Sequence, residues 1–446
     1  MPIHNSVKSP SIRDLPYDIL FELFRYLCGR DIAYLLSTCK TLHAYIHELA
    51  IWQSLCARYS LRDLTYFRGQ SFYTVYTQLL HRYCPLLGLW ASDHPFRGNI
   101  VEFRLLSGCD REQGGIIGEF WRFADAQFGD AMPRPPEYIR MLKIGFDALS
   151  SHGDEQEGDH SHMVRIICNP YVQVGAEHVA APIGMHPSVI EVMPPSNYGL
   201  FLQEYRRTFS HPVFPCRTAP WYDDNRGLPH LKMSNPVEVD QRELVRIYPA
   251  VRLPIIFTAP VGHAKPSAIS ISCGGVACME QHQPFVPFDD IIPLPPRYYP
   301  MKRVVQSGID PDTEGWRLEG LVGLWLGMHG QQGTECLFVS WHTDEEELRA
   351  WKITGDINVP RGVCSWILRT HVGVTSRHPA LLETWNRLNL SVARVYVGTG
   401  IISERGFAKP TSVDLIIGVT GADEIKIWWD QVNDIRTYIR YVGRDL

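Results

Sequence analysis

The chain has 446 residues, 45% of them hydrophobic and 20% charged, with a formal net charge of −5. That balance suits packed globular domains and argues against wholesale disorder. The small charge, with no basic arm or arginine-rich stripe, argues against nucleic acid as a main partner. The eleven cysteines follow no repeating spacing. Residues 1–10 lack the apolar core of a signal peptide, and no run of about eighteen apolar residues is present to span a bilayer. A reducing setting in cytoplasm or nucleus, with no membrane partner, is therefore expected.

The first predicted elements are short helices between Leu15 and Trp52. Asp14 can cap a helix and Pro16 suits a first turn. Ile19, Leu20, Leu23, Phe24 and Leu27 then recur at helical period on one broad face. Cys28-Gly29 predicts a stop and Asp31 a second N-cap, followed by Leu35, Leu36 and Cys39. Thr41 can open a third helix carrying Leu42, Tyr45, Ile46 and Leu49. Three helices of this size bury too little surface to be comfortable alone, so another domain or a partner is expected to cover part of them.

A helical stem over 59–84, with Tyr59, Phe72, Tyr76, Leu79 and Leu80, ends at Cys84-Pro85. From there glycine, proline, aromatic and β-branched residues predominate. Strands are predicted at 99–105, 163–168, 337–341, 391–397, 414–419 and 425–429. The predicted fold class is α+β: an N-terminal helical bundle (11–58), the linker, and a large, mostly antiparallel β-barrel-like domain (85–446). A proline-rich insertion is expected around 186–300. Leu87-Gly88-Leu89-Trp90 is echoed by Val322-Gly323-Leu324-Trp325. So short an echo is weak evidence of a repeat, and reads as two strands that each start at a glycine bend with a large ring packed inward.

No nucleophile elbow, metalloprotease helix or nucleophile–base pairing is visible, so no catalytic residue is assigned. His152, His160, His162 and Cys168 lie close in sequence, but their spacing matches no zinc pattern. No metal and no cofactor are assigned. Three glycine-rich segments stand out, at 323–335, 352–362 and 398–407. None has phosphate-loop spacing, and each reads alone as a tight turn or strand kink.

Leu15-Pro16-x-Asp18-Ile19-Leu20-x-x-Leu23-Phe24-x-Tyr26-Leu27, with Asp31-Ile32, Leu35-Leu36-Ser37-Thr38-Cys39-Lys40 and Trp52, resembles the F-box. The resemblance implies that Leu15, Pro16, Ile19, Leu20, Leu23, Phe24 and Leu27 pack on a Skp-type adaptor, with Leu35, Leu36 and Trp52 completing or supporting the bundle. It implies a non-catalytic, substrate-selecting subunit of a cullin–RING ubiquitin ligase. The ordered segments Gly323-Leu324-Trp325, Lys352-Ile353-Thr354-Gly355-Asp356 and Gly398-Thr399-Gly400 are similar to the F-box only protein 31 family, clearest over about 320–429. By that likeness the barrel receives a target protein, such as the C-terminal tail of a D-type cyclin. Trp325, Lys352 and Thr354 would offer a ring wall, a cation and a hydroxyl, while Asp356 and Asn358 cap their own loop. The competing expectation is a barrel that encloses a small ligand or performs its own chemistry, tethered by the helices.

Overall fold

The computed structural model describes residues 11–92, 98–110, 112–123, 132–146, 164–168, 171–174, 177–180, 188–192, 253–254, 266, 268–273, 297–301, 310–329, 333–356, 358–370, 394–405 and 407–444. The chain opens with a single 3-10 turn, Ile12–Asp14, whose Asp14 carboxylate accepts the Ser11 backbone N–H at 3.0 Å. Asp14 therefore caps this turn, and α1 (Tyr17–Phe24) starts directly from Pro16. The second helix, α2 (Gly29–Leu36), begins two residues before the expected Asp31 cap. Gly29 is inside it because a Cβ there would meet the Tyr76 hydroxyl at 2.3 Å, so the expected stop is a close-approach position. Asp31 lies in its first turn and accepts the Cys28 thiol at 3.0 Å. The third helix, α3 (Lys40–His43), follows Cys39 and not Thr41, and α4 (Leu49–Ala57) carries Trp52.

Three segments, α5 (Phe72–Thr74), a π-helical turn (Val75–Leu80) and α6 (His81–Tyr83), form the stem, and a 3-10 turn, Cys84–Leu86, ends it. Leu20, Phe24, Ile32, Leu36, Trp52 and Leu55 share one core with Val75, Leu79, Leu80, Leu86 and the sheet residues Trp90, Val101 and Phe103. The inner side of the bundle is thus covered by its own chain.

Among the described residues, the β region comprises a nine-stranded antiparallel sheet, a separate closed eight-stranded barrel and a two-stranded hairpin. The sheet comprises β1 (Gly88–Ser92), β2 (Ile100–Leu106), β3 (Gly115–Arg122), β4 (Glu137–Phe146) and β5 (Val164–Cys168). The hairpin pairs β6 (Tyr171–Val174) with β7 (Glu177–Ala180). The predicted insertion contributes β8 (Ser188–Val192), β9 (Leu253–Pro254), β10 (Ile269–Cys273) and β11 (Arg297–Pro300) to the sheet. Its order is β5-β4-β3-β2-β1-β11-β10-β8-β9.

A 3-10 turn, Leu318–Leu321, leads into the barrel. Its strands are β12 (Gly323–Met328), β13 (Thr334–His342), β14 (Glu347–Lys352) and β15 (Cys364–Arg369), then β16 (Arg394–Glu404), β17 (Ala408–Val419), β18 (Glu424–Trp429) and β19 (Asp434–Arg440). They pair in sequence order and β19 closes on β12, which removes the exposed edges of an open sheet. Alternate residues point inward, and Trp325, Leu337, Val339, Leu348, Trp366, Leu368, Leu415, Ile417, Ile427 and Trp429 fill the interior.

One end of the barrel is closed. Arg440 lies with its guanidinium 4.7 Å from the Trp325 ring centroid and donates to the carbonyls of Val322 (2.9 Å) and Gly320 (2.5 Å). The outer faces of β12 and β13 pack on the sheet, where Leu324, Leu326, Cys336 and Phe338 meet Ala91, Ile100, Trp121 and Met301. Tyr441 stacks edge-on to Trp121 at 4.5 Å, and Arg444 pairs with Glu102 (2.6 Å) and with Glu119. These contacts fix barrel and sheet to each other.

Candidate functional site

Two regions present chemistry that packing alone does not use. The first is α1. Leu20 and Phe24, four residues apart, point into the bundle and are 2% exposed. Ile19 and Leu23, also four residues apart, lie on the adjacent flank about a hundred degrees round the helix and, with Leu15 just before α1, are 46%, 40% and 36% exposed. Pro16 is exposed beside them, Ile12 extends the patch, and Tyr26 follows at its other end. A short helix with so broad an apolar face has only part of it covered by its own chain. Of the remaining predicted contact residues, Leu27 and Leu35 are half-buried, whereas Leu36 and Trp52 are buried. Trp52 anchors the bundle through its indole N–H, which donates to the Ile46 carbonyl at 2.7 Å.

The second region is the barrel end opposite the Arg440 clamp. Glu335 opens β13 with the inward parity of Leu337 and Val339, and Lys352 ends β14 beside Leu337. The Lys352 ammonium, on a residue only 1% exposed, sits 2.7 Å from Glu335 Oε2 and 2.5 Å from Asp356 Oδ2. Asp356 also accepts the N–H groups of Asn358 (2.7 Å) and Val359 (2.8 Å), which caps its loop as expected. Tyr438 donates its hydroxyl to Glu335 Oε1 at 2.8 Å. His329 lies over the two carboxylates, 3.6 Å from Glu335 and 4.0 Å from Asp356, with its Nδ1 3.1 Å from Arg436 Nη1.

Burial by itself would raise the carboxyls of Glu335 and Asp356, but Lys352 and then His329 outweigh it, and both are held well below the usual carboxylate range. Burial alone would likewise lower Lys352, yet Asp356 and Glu335 keep it charged. Burial, with Lys352 and Arg436 adding repulsion, pushes His329 down to about 4, so its ring is neutral near pH 7. The donor atoms of His329, Glu335 and Asp356 are grouped closely enough to hold a metal ion. The position between the two carboxylates is already filled by the Lys352 ammonium.

Of the three residues expected to meet a substrate, Lys352 is therefore engaged by two carboxylates. A ligand reaching its nitrogen would have to displace one of them. Thr354 accepts the Cys336 N–H at 2.8 Å and tethers the loop to β13. Trp325 is fully buried and donates its indole N–H to the Leu321 carbonyl at 2.8 Å, at the clamped end. The structure thus brings Lys352 and Thr354 together and leaves Trp325 apart. His329, Glu335, Arg436 and Tyr438 were not singled out from sequence. The available signal was a glutamate at an inward position of an otherwise apolar strand. His152, His160 and His162 lie outside the described residues, as does the side chain of Cys168.

Residues 12–58 match the family model described as F-box-like. The α1–α4 bundle is an F-box-like segment. Its residues 307–441 match a second model, described as the Cyclin D1 binding domain, which spans the whole closed barrel. The chain is similar to F-box only protein 31 of Rattus norvegicus, 36% identical over 168 residues, covering 35% of this chain and 31% of the relative. The human protein of that name is 36% identical over 99 residues, covering 20% of this chain and 18% of the relative. The F-box protein pof9 of Schizosaccharomyces pombe is 45% identical over 51 residues, 11% of each chain. The first of these alignments therefore spans about a third of the relative's length. The F-box coincides with the α1–α4 bundle, and the exposed stripe belongs to it.

Proposed function

We propose that this chain is the substrate-recognition subunit of a Skp–cullin–F-box ubiquitin ligase, acting in cytoplasm or nucleus. The observation that carries this reading is the uncovered stripe of Leu15, just before α1, with Ile19 and Leu23 on it, set on a bundle whose Leu20 and Phe24 flank is sealed into the rest of the chain. Leu15, Pro16, Ile19 and Leu23 dock on the adaptor. Leu20, Phe24, Leu36 and Trp52 hold the helices in position, with Leu27 and Leu35 at the margin. Fully burying an apolar side chain of this size contributes roughly 1.5–3 kcal/mol, and the exposed third to half of each of these residues is what docking would add.

The barrel receives the target protein, through a C-terminal tail as the resemblance implies. Lys352 and Thr354 shape the receiving loop from beneath, and Trp325 holds the barrel's far end. Transfer of ubiquitin is then accelerated by proximity, with the bond-making chemistry supplied by other subunits. The continuous core from bundle to sheet, and the packed sheet–barrel contact, give a rigid arm between adaptor and substrate. A barrel interior filled by side chains speaks against the competing picture of an enclosed small ligand.

The test is affinity purification of the full chain and of an Ile19→Glu/Leu23→Glu variant, with and without inhibition of cullin activity. The wild type should retain a Skp-type adaptor and a cullin, and its substrates should accumulate on inhibition. The variant should lose adaptor and cullin while keeping substrates. A wild type that retains no adaptor would reject the assignment.

A further inference from the structure

We propose that the open sheet and the closed barrel are two copies of one up-and-down barrel plan, and that Glu335 and Lys352 form the specificity-determining pair peculiar to the second copy. The second half of this statement rests on the reading of the barrel as the substrate-receiving unit.

The correspondence begins where each copy begins. The 3-10 turn Cys84–Leu86 precedes Gly88 at φ 109°, and Trp90 donates its indole N–H to the Leu86 carbonyl at 2.6 Å. The 3-10 turn Leu318–Leu321 precedes Gly323 at φ 143°, and Trp325 donates to the Leu321 carbonyl at 2.8 Å. Both indoles are fully buried. Both glycines lie in the left-handed region, where a side chain would be strained.

The first and last strands of each copy also pair alike. β1 pairs with its successor β2 and with β11, the last strand of its sheet. β12 pairs with β13 and with β19, the last strand of the barrel. The residue following each closing strand donates its N–H to the leucine of the Gly-Leu-Trp run, Met301 to Leu89 and Tyr441 to Leu324, both at 2.8 Å. The register agrees without a gap. Trp90 opposes Val101 as Trp325 opposes Leu337, and Ser92 opposes Tyr298 as Gly327 opposes Tyr438. One strand further, Val101 opposes Phe120 as Leu337 opposes Lys352. In this frame Asn99 occupies the position of Glu335.

The same tyrosine therefore serves two different environments. In the first copy Asn99 Nδ2 donates to the Tyr298 hydroxyl at 3.3 Å, with the Phe120 ring 6.3 Å from the tyrosine ring. In the second copy the Tyr438 hydroxyl donates to Glu335, which is ion-paired with Lys352. The plan thus folds with a neutral amide and an apolar ring where the barrel has a buried carboxylate and a buried ammonium. A buried ion pair commonly stabilises no more than apolar residues of like volume, so folding does not call for the charges. They lie beneath the partly exposed His329 and fix the electrostatic character of the one barrel end that is not clamped.

The experiment uses the full chain with Glu335→Gln/Lys352→Met/Asp356→Asn, which removes all three charges and nearly preserves shape. Glu335→Asn/Lys352→Phe/Asp356→Asn, which installs the first copy's residues at the paired positions, is the second variant. Thermal unfolding, adaptor co-purification and binding of a fluorescein-labelled peptide from the C-terminal tail of cyclin D1 are measured for each. At least one variant should melt close to the wild type and keep the adaptor while binding the peptide about tenfold or more weakly. The salt dependence of peptide binding seen in the wild type should vanish in that variant, which a purely structural role would not produce. Failure of both variants to fold, or wild-type peptide affinity in a folded variant, overturns the inference alone. A wild type that does not bind the peptide overturns the substrate reading and this inference with it.

Discussion

Replacing Lys352 by Met alone should be among the most damaging single changes in the barrel. The ammonium lies 2.7 Å from Glu335 and 2.5 Å from Asp356, and the residue is 1% exposed. At an effective dielectric of about 20 each contact represents roughly 6 kcal/mol of attraction before desolvation. The net loss is smaller, because the lysine no longer has to be dehydrated. Breaking a buried pair while leaving its partner charged costs about 3–5 kcal/mol, and here two carboxylates are left facing each other. We expect a loss in that range near pH 7, read as slower protection of β13 and β14 amides in hydrogen exchange and a lower barrel unfolding midpoint.

The pH dependence carries the sign. In the wild type both carboxyls are depressed, so their contribution is complete above their unfolded values near 4 and is lost only as pH falls through the lower folded values. In Lys352→Met the same carboxyls lose their main lowering partner and take up protons more readily. The gap between the two proteins should therefore narrow as pH falls. A loss below about 1 kcal/mol, or a gap that does not change with pH, would refute the reasoning.

Three further outcomes are expected. Because His329 takes a proton at its ordinary 6.5 when unfolded but only at about 4 when folded, stability should fall by up to about 3 kcal/mol as pH drops from 6.5 to 4. His329→Asn should flatten that slope in pH-dependent urea melts. Gly327→Ala would place a Cβ 2.0 Å from the Tyr438 ring; overpacking of this kind costs about 1–3 kcal/mol, visible as a lower melting temperature. On α1, Leu20→Ala should cost about 2–5 kcal/mol, whereas the neighbouring exposed Ile19→Ala should stay within about 0.5 kcal/mol, a contrast that thermal melts of the isolated full chain can resolve.

Strands rich in β-branched residues were legible from sequence: β2, β5, β13, β16, β17 and β18 fall on predicted runs. Strands such as β14, with Glu347, Arg349 and Lys352, and β19, with Asp434, Arg436 and Arg440, were not singled out. Glu347 pairs with Arg349 within β14 and Asp434 with Arg436 within β19, but Lys352 and Arg440 are held by Glu335 and Asp423 from other elements, which a local pattern does not reveal. The helices were legible as elements, but their starts moved, as in α2, which begins at Gly29 after Cys28, where Gly29 packs closely against Tyr76. The division of the β region into a sheet and a closed barrel depends on β11 returning to β1 and β19 to β12, pairings between residues far apart in the chain. The charged cluster escaped notice for a similar reason, since His329, Glu335, Lys352, Asp356 and Tyr438 come from strand ends and loops that meet only on closure.

The most direct measurement is a binding titration of the purified full chain against a purified Skp-type adaptor, comparing the wild type with Ile19→Glu/Leu23→Glu. The wild type should bind, and the doubly charged variant should lose at least about a hundredfold in affinity with an unchanged melting curve, because both residues lie outside the core. Equal affinity in the folded variant would mean that the stripe on α1 is not the docking surface, and the account of the chain as a ligase receptor would fail.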